Sequence, residues 1–208
     1  MEEEYKLKLF LLGNSSVGKT SFIVKYVKNI FNDELKSTIG IDYFEKDNEL
    51  PNGKKAKIKF YDTAGQEKFR SIAYNLIKSA EGIILMYDIT KNETFESISK
   101  WIESIKEFKG SDFSSFPFIL VGNKSDLEEE RQVGTKEGMK EAEKYGFPFF
   151  ETSNKNGINV EKAALTIALK VYEKKKEQEK KNKEKNENEK GGNIQLTAEK
   201  KPKKRKCC

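Results

Sequence analysis

The chain has 208 residues, enough for one sizeable domain and a tail, and 36% of them are charged, with a net of +6. The excess has one source: residues 171–208 carry fourteen Lys plus Arg against seven Glu, while the rest holds twenty-six basic and twenty-seven acidic residues. So neutral a body excludes general nucleic-acid binding, and a basic tail points to an anionic surface; with no His anywhere, catalysis must run on carboxylates, amides, Lys or a bound metal ion.

The opening MEEEYKLK is acidic and lacks the apolar centre of a signal peptide. No apolar stretch approaches the ~20 residues that span a bilayer, which predicts a cytosolic protein unless something is attached to it. Residues 6–12 start with alternation and end as an apolar run, the pattern of a strand entering a buried sheet, and Gly13 ends it. A helical pattern follows over 18–29, with Phe22, Val24, Tyr26 and Val27 offered to the core. Residues 41–50 and 55–62 flank Pro51-Asn52-Gly53 and predict a β-hairpin; in its second arm Ala56, Ile58 and Phe60 alternate with Lys55, Lys57 and Lys59. Three bare apolar runs, 82–87, 116–121 and 147–150, suit strands covered on both faces. They end at Asp88, at Gly122-Asn123 and at Glu151-Thr152-Ser153.

Helical stripes lie between and after these strands: Phe95, Ile98, Ile102, Ile105 and Phe108; a shorter one over 138–145; and Leu165, Ala168, Leu169 and Tyr172. The alternation predicts an α/β fold, a mostly parallel six-stranded sheet with one antiparallel hairpin strand and helices on both faces. A domain over 1–172 and a tail over 173–208 follow. After Tyr172 the apolar pattern stops, and residues 173–190 are almost wholly Lys, Glu, Asn and Gln; the segment can extend the last helix as a solvated stretch, but beyond the first turns a disordered linker is expected.

Gly13-Asn14-Ser15-Ser16-Val17-Gly18-Lys19-Thr20 fits GxxxxGK[ST], between an expected strand and an expected helix. Main-chain N–H groups from Ser15 to Ser21 can wrap phosphates at the positive end of the helix. Lys19 supplies a cation to the outer phosphates, and the Thr20 hydroxyl suits Mg²⁺, a hard ion that takes oxygen ligands.

Four further segments stand in order after this loop: Thr38-Ile39-Gly40, Asp62-Thr63-Ala64-Gly65-Gln66-Glu67, Asn123-Lys124-Ser125-Asp126 and Glu151-Thr152-Ser153-Asn154-Lys155. Together they resemble the Ras-like small GTPases, over roughly residues 6–172. The resemblance implies that the chain binds GTP and hydrolyses it to GDP with Mg²⁺. Asp126 would accept the ring N–H and exocyclic amine of guanine, Asn123 and Lys124 would shape the base pocket, and Ser153, Asn154 and Lys155 would form its opposite wall. The family usually has Ala in place of Asn154; the contact implied there is a main-chain N–H, so the change is expected to be tolerated. Phe31 matches an aromatic that packs on the base edge. Thr38 would join Thr20 on the metal ion and Asp62 would hold it through water, Gly65 would give its N–H to the γ-phosphate, and Gln66 would orient the attacking water. These contacts exist only while the γ-phosphate is present, which makes a switch. Unaided turnover is expected to be slow, with a helper arginine supplied by a partner and worth about 10³–10⁵ in rate.

Within this family the chain resembles the Rab branch. Glu2 stands where a myristoylated Arf-like chain needs Gly, the tail is basic where Ran-like tails are acidic, the gap from Asp126 to Thr152 has no room for a Rho-type insert, and Arg205 stands where a CaaX end needs Cys. Cys207-Cys208 match the double-cysteine end common in Rab proteins, which implies lipidation there and residence on the cytoplasmic face of a membrane, with a soluble pool. Residues 38–43, 68–72 and 85–90 are also Rab-like. The resemblance implies vesicle trafficking as the process served. Its partners would be an exchange factor, a GTPase-activating protein, effectors and a GDP-dissociation inhibitor. Tyr61, Leu76-Ile77 and Leu35 depart from the usual Rab residues and are expected on the partner-binding surface. Three alternatives stay open: a GTP-binding scaffold with little hydrolysis, an ATP-dependent phosphotransferase, and a nuclear-targeted GTPase whose address is the basic run 200–206.

Overall fold

In a computed structural model, the structure describes residues 4–32, 41–63 and 78–192. Its elements, in chain order, are strand β1 (Tyr5–Leu12), helix α1 (Lys19–Lys28), strands β2 (Ile41–Glu49), β3 (Lys55–Thr63) and β4 (Gly82–Asp88), helix α2 (Asn92–Lys109), strand β5 (Phe118–Asn123), helix α3 (Thr135–Glu143), strand β6 (Phe149–Thr152) and helix α4 (Val160–Gly192). Short 3₁₀ turns occupy Gly110–Ser115 and Glu128–Glu130.

Strand order is β2-β3-β1-β4-β5-β6, parallel throughout except for β2, which pairs antiparallel with β3 from Ile41↔Thr63 to Glu49↔Lys55. The α/β fold with one hairpin strand is therefore as the sequence predicts. The hairpin closes where the Gly53 N–H donates to the Leu50 carbonyl and the Leu50 N–H donates to the Lys54 carbonyl, with Gly53 at φ 75, a region that residues with a Cβ rarely enter.

Alternation along β1 explains the layers. Leu7, Leu9 and Leu11 point into one core cluster with Phe22, Ile23 and Tyr26 of α1 and Ala163, Ala164, Ile167 and Ala168 of α4. Phe10 and Leu12 point into a second cluster with Ile98, Ile102 and Ile105 of α2 and Ala142 of α3. Helices thus cover both faces, and each fully buried Leu, Ile or Phe contributes ~1.5–3 kcal/mol.

Three expectations need correction. In α1 it is Ile23 that is fully buried, while Val24 is half-exposed, because Lys19, Phe22, Ile23 and Tyr26 share the i, i+3, i+4, i+7 face. In α4 the inward stripe is Ala163, Ala164, Ile167, Ala168 and Val171, with Leu165 and Leu169 at its half-buried margins. Small residues sit there because the helix approaches the sheet closely: a Cβ on Gly82 of β4 would lie 2.6 Å from Val171 Cγ2. The third concerns the tail. Instead of giving way to a linker after its first turns, α4 runs to Gly192. Residues 173–190 contain neither Gly nor Pro and are rich in Lys and Glu, both good helix formers, and Gly191-Gly192 then end the run. The chain divides into two compact units after Tyr172.

Gly138 tests the packing between α3 and the sheet. A Cβ there would meet Tyr87 Oη at 2.3 Å and the Phe149 ring at 2.5 Å. Gly138→Ala should therefore lower the urea midpoint by the equivalent of about 1–3 kcal/mol despite the better helix propensity of Ala. An unchanged midpoint would show that the two rings move aside freely.

Candidate functional site

The carboxyl ends of β1, β3, β4, β5 and β6 lie along one edge of the sheet, where α/β folds bind ligands. Gly13 leaves β1 at φ 139, and a Cβ on it would stand 2.2 Å from the Met86 main-chain oxygen. The loop then turns through Ser15 and Ser16, both exposed, with Ser16 at φ 61, while Val17 is fully buried. Gly18, at φ 96, caps α1 without a side-chain hydrogen bond, and the first turn carries no acidic residue. Its first N–H groups have no acceptor within the helix and present a partial positive charge. Ser21 is half-buried in that turn.

Lys19 is 5% exposed, and its Nζ donates to the carbonyl oxygens of Gly13 (2.9 Å) and Asn14 (2.8 Å). Burial pulls its pKa down to about 8, partly offset by the attraction of Asp62. A bound anion beside the ammonium would favour its charged form. Thr20 Oγ1 donates to Asp62 Oδ2 at 2.6 Å, and Asp62, at the end of β3, is fully buried. A hydroxyl and a carboxylate held together beside a phosphate loop are hard oxygen donors, and this donor set fits Mg²⁺, which takes one or two protein ligands and completes its shell with phosphate and water.

A second cluster is built from the ends of β5 and β6. Asn123, 1% exposed, donates from Nδ2 to the Val17 carbonyl at 2.8 Å and accepts at Oδ1 from Thr152 Oγ1 at 3.0 Å. Lys124 takes a left-handed φ of 71, and its Nζ forms a 2.6 Å ion pair with the fully buried Asp88 at the end of β4. Asp126 Oδ1 accepts from Ser153 Oγ at 2.6 Å, and Ser153 Oγ in turn accepts from the Asn156 N–H. Asn154, 4% exposed, donates from Nδ2 to the Gly18 carbonyl at 2.9 Å; its Oδ1 is buried with no hydrogen-bond partner among the described residues. Lys155 is exposed and Phe31 half-buried.

The structure thus brings the phosphate loop, the 123–126 segment and the 152–154 segment into direct contact. Thr38, Gly65, Gln66, Cys207 and Cys208 lie outside the described residues, as do Leu35, Leu76 and Ile77. Tyr61, a departure from the Rab pattern, stacks on Phe10 with ring centroids 4.3 Å apart and is half-buried.

Two supporting groups escaped the sequence reading. Asp88 takes hydrogen bonds from the Thr90 N–H and hydroxyl as well as the Lys124 ammonium. Its signal was available: a carboxylate closing a fully apolar strand is buried and needs a cation. Arg131 forks to Glu151 at 2.7 and 3.0 Å and to Glu128 at 2.9 and 2.7 Å, and also donates to the Val133 carbonyl, which braces the end of β6. Nothing in the spacing of these residues announces that brace.

A strand–loop–helix phosphate cradle joined to a second loop pair at the sheet's carboxyl edge defines a P-loop nucleotide-binding protein. The Ras family profile matches residues 8–173. The chain is 43% identical to the Ras-related protein Rab-8 of Diplobatis ommata over 171 residues, which cover 82% of this chain and 80% of that one. It is 45% identical to Rab-3C of Bos taurus over 157 residues, 76% of this chain and 67% of the relative. To Rab-27B of Homo sapiens it is 37% identical over 216 aligned residues, covering 99% and 97%. The chain belongs to the Ras family and, within it, to the Rab small GTPases. It is a guanine-nucleotide-binding GTP hydrolase of vesicle trafficking.

The two bridging amides differ in what their loss exposes. Asn123→Ala removes a bond to the phosphate loop and strands the buried Thr152 hydroxyl, so the Kd for GDP should rise at least about thirtyfold. Asn154→Ala removes one bond but also a buried oxygen without a partner, and Kd should move by less than about tenfold. Displacement of a fluorescent GDP analogue measures both; equal losses would contradict this ranking.

Proposed function

We propose that the chain is a membrane-anchored switch in which the residues above hold GTP and Mg²⁺ and release the switch segments on hydrolysis. The observation that carries this reading is the pair of amide bonds from Asn123 to the Val17 carbonyl and from Asn154 to the Gly18 carbonyl. They set a base-reading wall directly against a phosphate cradle, as a single nucleotide requires. Asp126 reads guanine, since its carboxylate matches the ring N–H and the exocyclic amine; adenine offers no such donor pair. Ser153, bonded to Asp126 Oδ1, holds that carboxylate in place.

Thr20 and Asp62, with Thr38 from the segment before β2, would hold Mg²⁺, which when bound would supply positive charge beside the outer phosphates. Lys19 meets the same phosphates once its ammonium leaves the Gly13 and Asn14 carbonyls. Gly65 donates its N–H to the γ-phosphate and Gln66 orients the attacking water. The partner classes are an exchange factor, a GTPase-activating protein that supplies an arginine, effectors that read the GTP state, and a GDP-dissociation inhibitor.

Cys207 and Cys208 are the lipid attachment points. Two chains suit stable anchoring at ~0.8 kcal/mol per buried CH₂, where one is marginal. Each basic residue near an anionic leaflet adds about 1 kcal/mol and biases which membrane is chosen. Among the described residues no helix is long and apolar enough to cross a membrane.

Base choice is the first test. Asp126→Asn exchanges a pure acceptor for a group that also donates, and xanthine carries a carbonyl where guanine carries its amine. The variant should prefer xanthosine nucleotides; a retained preference for guanine would remove Asp126 as the base reader.

For hydrolysis, Gln66→Leu keeps the side-chain volume and removes the amide. GTP affinity should stay within about threefold while single-turnover hydrolysis, alone and with an activating protein, slows by two or more orders of magnitude on the scale of such water-positioning groups. An unchanged rate constant would assign the water to another group.

Fractionation of cells tests the anchor. The Cys207→Ser/Cys208→Ser double variant should be soluble with GDP affinity unaltered. Neutralising Lys203, Lys204, Arg205 and Lys206 should redistribute the protein among membranes without releasing it. A double-Ser variant that still pellets with membranes would break the assignment.

A further inference from the structure

Asn14, the second residue of the phosphate loop, has its side chain held at both ends by α2. Its Nδ2 donates to Ser97 Oγ at 3.0 Å, and its Oδ1 accepts from Trp101 Nε1 at 3.0 Å. The polarity of this pair is determined. An indole N–H can only donate, so the atom facing Trp101 must be the amide oxygen. Ser97 spends its own hydroxyl hydrogen on the Glu93 carbonyl at 2.8 Å, so toward Asn14 it can only accept. Ser97 and Trp101 stand four residues apart and therefore share one face of the helix.

Asn14 is also where the resting position of Lys19 is set. The ammonium is divided between the Gly13 and Asn14 carbonyls, the two main-chain oxygens that flank the Asn14 Cα. Because a peptide group is planar, a carbonyl and the next residue's N–H turn together. Fixing the Asn14 side chain thus limits rotation of both adjacent peptides, and with them the direction of the Asn14 and Ser15 N–H groups at the phosphate cradle. On the other side Gly13 is wedged against the Met86 carbonyl of β4, so the loop can yield chiefly toward α2.

We propose that Ser97 and Trp101 are positioning residues for the phosphate site, acting through Asn14, so that α2 sets how long a nucleotide stays bound. The inference rests on the reading of Gly13–Thr20 as the phosphate cradle. It gives α2, which carries none of the motif residues, a direct mechanical hold on nucleotide release. Trp101 is also the chain's only tryptophan, so tryptophan emission comes from this position alone.

The test uses the full-length protein loaded with a fluorescent GDP analogue, chased by excess GDP at fixed Mg²⁺. Wild type must first show saturable GDP binding; if it shows none, the reading of the phosphate cradle fails, and this inference with it. Given binding, Trp101→Phe and Ser97→Ala should each speed release about 3- to 10-fold, the value of one neutral hydrogen bond. Single-turnover hydrolysis, measured before release, should keep its wild-type rate constant. Trp101→Phe added to Asn14→Ala should release no faster than Asn14→Ala alone, because both remove the same contact. Ile102→Val trims the buried neighbour of Trp101 without touching Asn14 and separates positioning from loss of stability: it should lower the urea midpoint and leave release unchanged. In wild type the emission of Trp101 should shift when GDP is removed, and Asn14→Ala should abolish that shift. Release unaltered in Trp101→Phe and Ser97→Ala, or equally accelerated in Ile102→Val, or additive in the double variant, would overturn the proposal.

Discussion

Two segments more than a hundred residues further along the chain, at Asn123 and Asn154, converge on the phosphate loop at Gly18, and the rest of the site is arranged around that approach. A Cβ at Gly18 would stand 2.3 Å from Asn123 Nδ2 and 2.9 Å from Asn154 Nδ2, in a backbone conformation that L side chains rarely adopt. Only a residue with no side chain lets both amides reach the loop, at the Val17 and Gly18 carbonyls. The carbonyls turn toward the base-side loops, and α1 begins immediately with its N–H groups uncapped by any side chain. A parallel sheet makes this meeting possible, because it places the ends of β1, β5 and β6 on one edge.

Electrostatics add a second layer. Buried charges are costly unless paired, and here each has a partner drawn from another segment: Lys19 with two carbonyls and the field of Asp62, Asp62 with Thr20, Asp88 with Lys124. Lys19 is the least settled of these. Burial has already lowered its pKa to about 8, so part of the cost of a charged ammonium stays uncompensated until an anion arrives. On the proposed reading a lysine held this way keeps its ammonium available to a phosphate, while Lys124 is fixed by its ion pair with Asp88.

Much of this could be read from residue order, and what could not has a physical reason. The loop Gly13–Thr20 and the ends of the apolar strands were legible because their chemistry demands particular residue types at fixed spacing. The hairpin was legible from its turn, and the buried strands from their unbroken apolar runs. Ala168 and Tyr172 of α4 are buried as the stripe predicts, but Val24, Leu165 and Leu169 are only half-buried, and close helix–sheet contact also selects Ala163 and Ala164, which size alone does not mark. The helix over 173–192 ranks behind a linker in the sequence because its stability draws on propensity, which leaves no apolar pattern to follow. The clamp on Asn14 was out of reach of any local reading, since its partners lie 83 and 87 residues away. The same holds for Arg131 and Glu151, whose meeting depends on a turn and a strand pairing that no motif encodes.

At the centre of the account is one claim: the cradle at Gly13–Thr20 and the wall at Asn123–Asp126 and Ser153–Asn154 hold one guanine nucleotide between them. Acid release of nucleotide from the protein purified in Mg²⁺ buffer, followed by chromatographic identification, tests it without labels or variants. The account predicts stoichiometric guanine nucleotide, mainly GDP after slow hydrolysis during purification. Recovery of adenine nucleotide instead, or a chain that carries none and takes up none from added GDP, would contradict it.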